Sequence, residues 1–147
     1  MENLNESLLE AWLRISTSVI NSRVVSELSY NESLVCNALY KAMKEDSSKK
    51  LTATDLCSST KMLKSQMNRT LNQLEKKSII LRERSLEDKR KVYIMMNAAE
   101  LSGYQKQHEK ILFLIDYIFE ELGISKVEEA IALFNQISDI ASDVLGL

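Results

Sequence analysis

No proline occurs in the 147 residues, and glycine appears only at positions 103, 123 and 146. Proline stops a helix from within, and glycine is the residue that most readily leaves helical geometry. A chain with none of the first and three of the second is constrained to long helices. Its hydrophobic content of 45% suffices for one ordinary core, so a single, mainly α domain over 1–147 is expected.

The apolar spacing divides the chain into segments. Over 5–26, Leu8, Trp12, Ile15 and Val19 recur at helical spacing, while Leu9, Leu13 and Ile20 add a second apolar flank. Such a helix needs two partners. Ser29 and Glu32 have the spacing of a capping box, which predicts a second helix with Val35, Ala38, Leu39, Ala42 and Met43 turned inward. The charged loop KEDSSKK ends it. Leu51 is extended, and Thr52 with Asp55 opens a short helix through Leu56 and Cys57. In MLKSQMNRTLNQLEKK, Met67, Leu71 and Leu74 form an i, i+4, i+7 stripe. Two β-prone runs, IILRER and KVYIMM, then pair as a hairpin around the charged knot SLEDKRK. Asn97, with Glu100 one turn on, is expected to cap a helix over 98–122 that carries Leu101, Tyr104, His108, Ile111, Ile115 and Ile118 on one stripe. Gly123 stops that helix, and Ser125 with Glu128 is expected to cap a last one over 125–145.

Charge is distributed as unevenly as the apolar residues. The chain carries a net −2, but residues 61–91 hold ten Lys/Arg against four Asp/Glu, a local +6 that leaves −8 for the rest. A basic surface on an acidic body suits a polyanion. Within it, the outer face of the fourth segment presents Lys64, Ser65, Gln66, Asn68 and Arg69, with no acid before Glu75. Ordinary solvated helices mix Glu with Lys for i, i+4 pairing. A face without carboxylates approaches phosphates freely, and Asn, Gln and Arg have the geometry to read base edges in a major groove.

Helix, short helix, polar-faced helix and hairpin are, in that order, the parts of a winged helix-turn-helix. The charged knot becomes the tip of the wing, where Arg84, Lys89, Arg90 and Lys91 meet phosphates or a narrow minor groove. Asp88, two residues before Arg90, is placed to hold that guanidinium in a fixed orientation.

Residues 74–104 also resemble the wing signature of the multiple-antibiotic-resistance-regulator (MarR) family. The matching positions are Leu74, Glu75, Ile80, Arg82, Asp88, Arg90, Ile94, Asn97 and Gly103. Three positions depart from the pattern: Ser78 and Lys61 stand where the family has turn glycines, and Leu63 where a Ser/Thr often caps the recognition helix, so that helix is expected to begin near Ser65. The resemblance implies a homodimeric transcriptional regulator, a repressor by preference, binding double-stranded DNA at a pseudo-palindromic operator. Residues of about 5–28 and 98–147 would intertwine as dimerisation helices around a winged lobe of about 30–97. It further implies release by a small aromatic or phenolic effector or by oxidation. Trp12, Tyr30 and Tyr40 are the candidates for an aromatic pocket and Cys57 the redox candidate, since the first helix has no cysteine. Apolar surface on the terminal helices, beyond what one small lobe can cover, argues for the same dimer.

Other classes find less support. Cys36 and Cys57 lie in different segments without CxxC spacing, and His108 is the one histidine, so neither a metal centre nor a cofactor is expected. An enzyme is not expected either, because no nucleophile–base pair or phosphate-cradling glycine loop is visible. No apolar run approaches the roughly 20 residues of a membrane span, and the acidic, amphipathic N-terminal stretch does not read as a signal peptide, so a cytoplasmic protein is expected. The alternative from a different class is a winged-helix interaction module whose basic face binds an acidic protein partner.

Overall fold

The computed structural model describes residues 3–20 and 28–146. The elements run α1 (Leu4–Ile20), α2 (Tyr30–Glu45), β1 (Leu51–Thr52), α3 (Ala53–Thr60), α4 (Lys64–Lys76), β2 (Ile80–Arg84), β3 (Val92–Met96), α5 (Leu101–Leu122) and α6 (Ile124–Leu145). The part of the first predicted helix over 21–26 lies outside the described residues.

Two start signals act as expected. The Ser29 hydroxyl accepts the Glu32 N–H at 3.2 Å and the Glu32 carboxylate accepts the Ser29 N–H at 3.3 Å, so both bonds of the capping box are present. Thr52 and Asp55 do the same for α3, at 3.2 and 2.9 Å. The core is built on α2, through Val35, Cys36, Leu39 and Tyr40. Leu56 of α3, the Met67, Leu71 and Leu74 stripe of α4, Ile80 of β2, Ile94 of β3 and Tyr104 of α5 close over them.

The hairpin forms in the register Ile80↔Met96 through Arg84↔Val92. It gains a third strand where the sequence predicts only an extended Leu51: β1 pairs antiparallel with β3, Leu51 opposite Ile94, giving the order β1-β3-β2. Two paired residues are too few for a periodic signal.

α4 begins at Lys64, with Ser65 close to its start as expected; the Gln66 Oε1 reaches back to accept the Leu63 N–H at 3.2 Å, the one half of a capping box that does not need a side-chain oxygen on Leu63. Two helix starts differ from expectation. α5 begins at Leu101 rather than 98. Asn97 does not cap it: its Oδ1 accepts the Ala99 N–H at 3.2 Å, and its Nδ2 donates to the Ser78 carbonyl at 2.8 Å, which ties the end of β3 to the end of α4. α6 starts at Ile124 without a side-chain cap, so Ser125 and Glu128 form no box. Gly123 both ends α5, donating to the Phe119 carbonyl, and starts α6, accepting the Val127 N–H. Its φ of 85° with ψ of 157° is a conformation open essentially to glycine alone, and the one-residue junction leaves no room for a cap at Ser125.

The two positions where the family pattern has glycine are the non-glycine residues at positive φ among those described, Lys61 at 62° and Ser78 at 60°. Ser78 sits just past the end of α4: its N–H donates to the Glu75 carbonyl, and the Ile79 N–H donates to the Leu74 carbonyl, both at 3.0 Å. That is the bond pattern of a Schellman motif, with a side chain where glycine is at ease. Left-handed geometry costs an L-residue roughly 1–2 kcal/mol, partly offset by the greater chain entropy of glycine. Ser78→Gly is therefore expected to raise the unfolding free energy by about 1 kcal/mol, measured by urea denaturation at fixed protein concentration. A destabilised variant would remove strain at Ser78 from this account.

An ion pair joins the end of α4 to the start of α2. Lys77, at the C-terminal end of α4, places its Nζ 2.8 and 3.0 Å from the two oxygens of Glu32, whose side chain is 4% exposed. Burial by itself would raise the Glu32 pKa, but hydrogen bonds from Lys77 and Ser29 outweigh it and hold the carboxyl below its ordinary value of 4.5. A depressed folded pKa contributes stability that is complete above the unfolded value and disappears as pH falls through the folded one. Glu32→Gln keeps a capping-box residue and removes only the charge. It is expected to cost about 1–2 kcal/mol at neutral pH, and the gap to wild type should close below about pH 4.5 in acid titrations of stability. A gap independent of pH would show that the charge contributes nothing.

The chain exposes 11476 Å², whereas a compact monomer of 16.8 kDa exposes about 7,700 Å², roughly 3,800 Å² less. Much of the surplus is apolar and lies on α1 (Leu8, Trp12, Leu13), α5 (Phe113, Ile115, Tyr117) and α6 (Ile131, Phe134, Val144), each at least 48% exposed. No helix among the described residues is long and apolar enough to cross a membrane.

Candidate nucleic-acid interface

α4 separates its two faces cleanly. Met67, Thr70, Leu71 and Leu74 are buried, while Lys64, Ser65, Gln66, Asn68 and Arg69 are all exposed. The Thr70 hydroxyl is satisfied within the helix by the Gln66 carbonyl at 2.8 Å, so a polar residue joins the buried face without loss. Gln66 has a double role. Its Oε1 caps the helix through the Leu63 N–H, which orients the carboxamide and leaves its two amide hydrogens and one lone pair available on an exposed face.

The wing is a fixed loop rather than a slack turn. Ser85 N–H donates to the Lys91 carbonyl and Lys91 N–H to the Asp88 carbonyl, each at 2.9 Å, and Asp88 N–H donates to the Ser85 hydroxyl at 3.1 Å. Arg84 reaches across it, its Nη1 donating to the Lys89 carbonyl at 2.6 Å. Asp88 Oδ1 accepts both the Arg90 backbone N–H at 3.1 Å and its Nε at 3.2 Å. The orienting contact expected from the sequence is thus in place, and Arg84, Lys89, Arg90 and Lys91 all remain exposed. Arg84 has one donor committed to holding the turn and others free, a division of labour its position alone does not reveal.

Between α4 and the hairpin lies an open groove of about 730 Å³, lined by Asn68 and Asn72 on the helix side and Arg82 and Arg84 on the strand side. Arg82 faces Glu75 of α4 at 3.6 Å, so the base of the wing is pinned to the reading helix. Asn72 belongs to this surface as much as Asn68 does. Its spacing one turn from Asn68 carried that signal, since i and i+4 share a helix face.

The aromatic candidates are not gathered. Trp12 and Tyr30 are 54% and 55% exposed, and neither makes a ring contact with another aromatic among the described residues. Tyr40 is buried and packs edge-on against Tyr104 at 5.2 Å and against His108 at 5.1 Å, with Tyr104 and His108 stacked at 5.9 Å. The cluster links the winged lobe to α5. Burial pushes Tyr104 well above the ordinary phenol range. Cys36 is buried in the core, and desolvation raises its thiol to about 12, which keeps it protonated and unreactive. Cys57 is partly buried against the same core.

The sequence profile of the transcriptional regulator SarA/Rot matches residues 21–112. The chain belongs to the SarA/Rot family of transcriptional regulators. Among curated proteins, none matches the sequence. Solved structures place this SarA/Rot regulator in the winged-helix fold of MarR-type regulators. BpsR of Bordetella bronchiseptica, solved in a study of how 6-hydroxynicotinic acid regulates its DNA binding, aligns with a TM-score of 0.71 at 15% identity, over 93% of this chain and 99% of its own. A mutant MarR of E. coli gives 0.66 at 14% identity, over 93% and 97%. A mutant S. aureus MepR bound to an oligodeoxyribonucleotide gives 0.59 at 13% identity, over 95% and 99%. At such identities the likeness is one of fold, and it covers 93–95% of the chain.

Proposed function

We propose that this SarA/Rot regulator is a cytoplasmic homodimer that binds double-stranded DNA at a pseudo-palindromic operator as a repressor. The observation that carries the reading is the continuous polar and cationic surface formed by the outer face of α4 and the wing. Lys64, Ser65, Gln66, Asn68 and Arg69 would enter the major groove, and Arg84, Lys89, Arg90 and Lys91 would take the adjacent backbone or minor groove. Asp88, on the same wing, would serve by holding Arg90 in position. The DNA-bound MepR supports this docking by its fold. The apolar faces of α1, α5 and α6 support burial against a second copy around a two-fold axis, which sets two reading helices about one turn of duplex, roughly 10 bp, apart. On this reading 30–97 is the winged lobe, and the helices on either side of it form the dimer.

Release by a small aromatic or phenolic effector fits the junction of Tyr40, Tyr104 and His108. Next to His108, the Gln107 Oε1 is out of solvent with no donor among the described residues. BpsR, regulated by 6-hydroxynicotinic acid, supports an effector of that class. Trp12 and Tyr30 would join such a site only through the dimer. Cys57 would act as a redox switch only if the lobe opens to uncover it.

Fluorescence anisotropy against duplexes from the upstream region of its own coding sequence, with scrambled DNA as reference at about 150 mM salt, tests the function. Selective binding by at least about a thousandfold, at two chains per site, is the expected result. Equal, weak binding to both duplexes, together with capture of an acidic protein, would replace DNA by a protein partner.

A further inference from the structure

Leu86 is the most exposed large apolar side chain among the described residues, 94% exposed. It belongs to none of the helices whose apolar faces a second copy would cover. It stands at the tip of the wing, and the turn around it is held closed: Ser85 and Lys91 pair through their backbones, the Ser85 hydroxyl takes the Asp88 N–H, and Arg84 grips the Lys89 carbonyl. The leucine is therefore carried on a backbone turn closed by hydrogen bonds rather than on a loose loop. A turn that only closes a hairpin favours Gly, Asn, Asp or Ser at its tip, and leucine there has no local use.

The turn that carries this apolar group, residues 84–91, also carries four exposed cations, Arg84, Lys89, Arg90 and Lys91, against two acids, Glu87 and Asp88, the second of which is engaged with Arg90. A minor groove has the complementary arrangement, phosphates along both rims and the apolar sugar edges and stacked bases within. We propose that Leu86 is an apolar wedge which the wing sets into the minor groove, loosening a base step at each outer edge of the operator while the cations hold the rims. The inference rests on the docking proposed above and adds a specificity element to it. A wedge works against stacking, so the sequence under the wing should favour the easily unstacked TA or CA/TG steps over stiff A-tracts.

The test uses the full-length protein and an operator duplex recovered by selection from random DNA, with hydroxyl-radical footprinting to locate the wing. Two versions of the duplex carry a TA step or an A-tract at that place, with 2-aminopurine beside it. Leu86→Ser, at so exposed a site, should leave the thermal midpoint unchanged. It is expected to bind the TA duplex about tenfold more weakly, to lose the 2-aminopurine fluorescence rise, and to bind the A-tract duplex as wild type does. The slope of log affinity against log salt should stay the same, because no phosphate contact is lost. Equal affinity of Leu86→Ser and wild type for both duplexes, with Arg90→Ala still weakened, would overturn the wedge and leave the docking standing. Failure of Arg90→Ala to weaken binding would overturn both. Loss of sedimentation with phosphatidylglycerol vesicles in Leu86→Ser, without any change on DNA, would assign the tip to an anionic membrane instead.

Discussion

Ile131→Glu combined with Phe134→Glu is expected to turn the protein from a species of twice 16.8 kDa into a monomer and to abolish selective operator binding. Both side chains are more than half exposed on α6 of the isolated chain, 56% and 58%, although each is apolar. The surplus surface, roughly 3,800 Å² per chain and so about 7,600 Å² for two, is more than enough for an obligate interface, which buries about 2,000–5,000 Å² in total over both partners. A two-fold axis repeats every substitution, so the double variant sets four carboxylates into an apolar seam, each costing several kcal/mol when desolvated without a partner. Dimer dissociation should rise by at least about a thousandfold, or roughly 4 kcal/mol. DNA binding falls with it, because one reading helix per molecule forfeits the effective concentration that two linked half-site contacts provide.

Analytical ultracentrifugation measures the mass, and Trp12, the one tryptophan, reports the same event through its emission. At 54% exposure on α1 it should emit at longer wavelength once the seam opens. The winged lobe has its own core around Val35, Leu39, Leu56 and Leu71 and should stay folded. Phe134→Ala supplies a milder version, weakening the dimer without introducing charge. A double-glutamate variant that remains dimeric and binds its operator normally would move the interface off α6.

The parts of this architecture that could be read from sequence are those governed by near neighbours. The Met67, Leu71 and Leu74 stripe, the boxes at Ser29 and Thr52 and the hairpin around SLEDKRK all follow from contacts within a few residues, and each forms as expected. The contact of Asp88 with Arg90 belongs to the same class. Several misplaced features depend on groups far apart in the chain, whereas the missing box at Ser125 has a local cause in the one-residue junction at Gly123. Asn97 is of a residue type that caps helices, but its amide donates instead to the carbonyl of Ser78, nineteen residues earlier. β1 exists only because β3 lies beside it. Tyr40, a candidate with Trp12 and Tyr30 for an aromatic pocket, has its ring partners in Tyr104 and His108 on α5. The left-handed turns at Lys61 and Ser78 were legible only against a family pattern, because neither residue type advertises positive φ.

Arg90 and Asp88 form the pair whose removal separates affinity from specificity. Arg90→Ala is expected to weaken operator binding by about 1–3 kcal/mol and to lower the salt slope by about one, as the loss of one phosphate or minor-groove cation requires. Asp88→Asn should act in the opposite sense on one quantity and the same sense on another. Its negative charge opposes the approach of phosphates, so its removal should tighten binding to scrambled DNA. Its Oδ1 also holds the Arg90 Nε and backbone N–H at 3.2 and 3.1 Å, and weakening that grip leaves the guanidinium to be ordered on binding. An exposed ion pair contributes about 0–1 kcal/mol to stability, so the fold should not register the change. What falls is the ratio of selective to scrambled affinity. Measured side by side by anisotropy at two salt concentrations, Arg90→Ala should lose affinity and Asp88→Asn should lose discrimination. Parallel losses in both variants would mean that Asp88 supports the wing only as part of its turn.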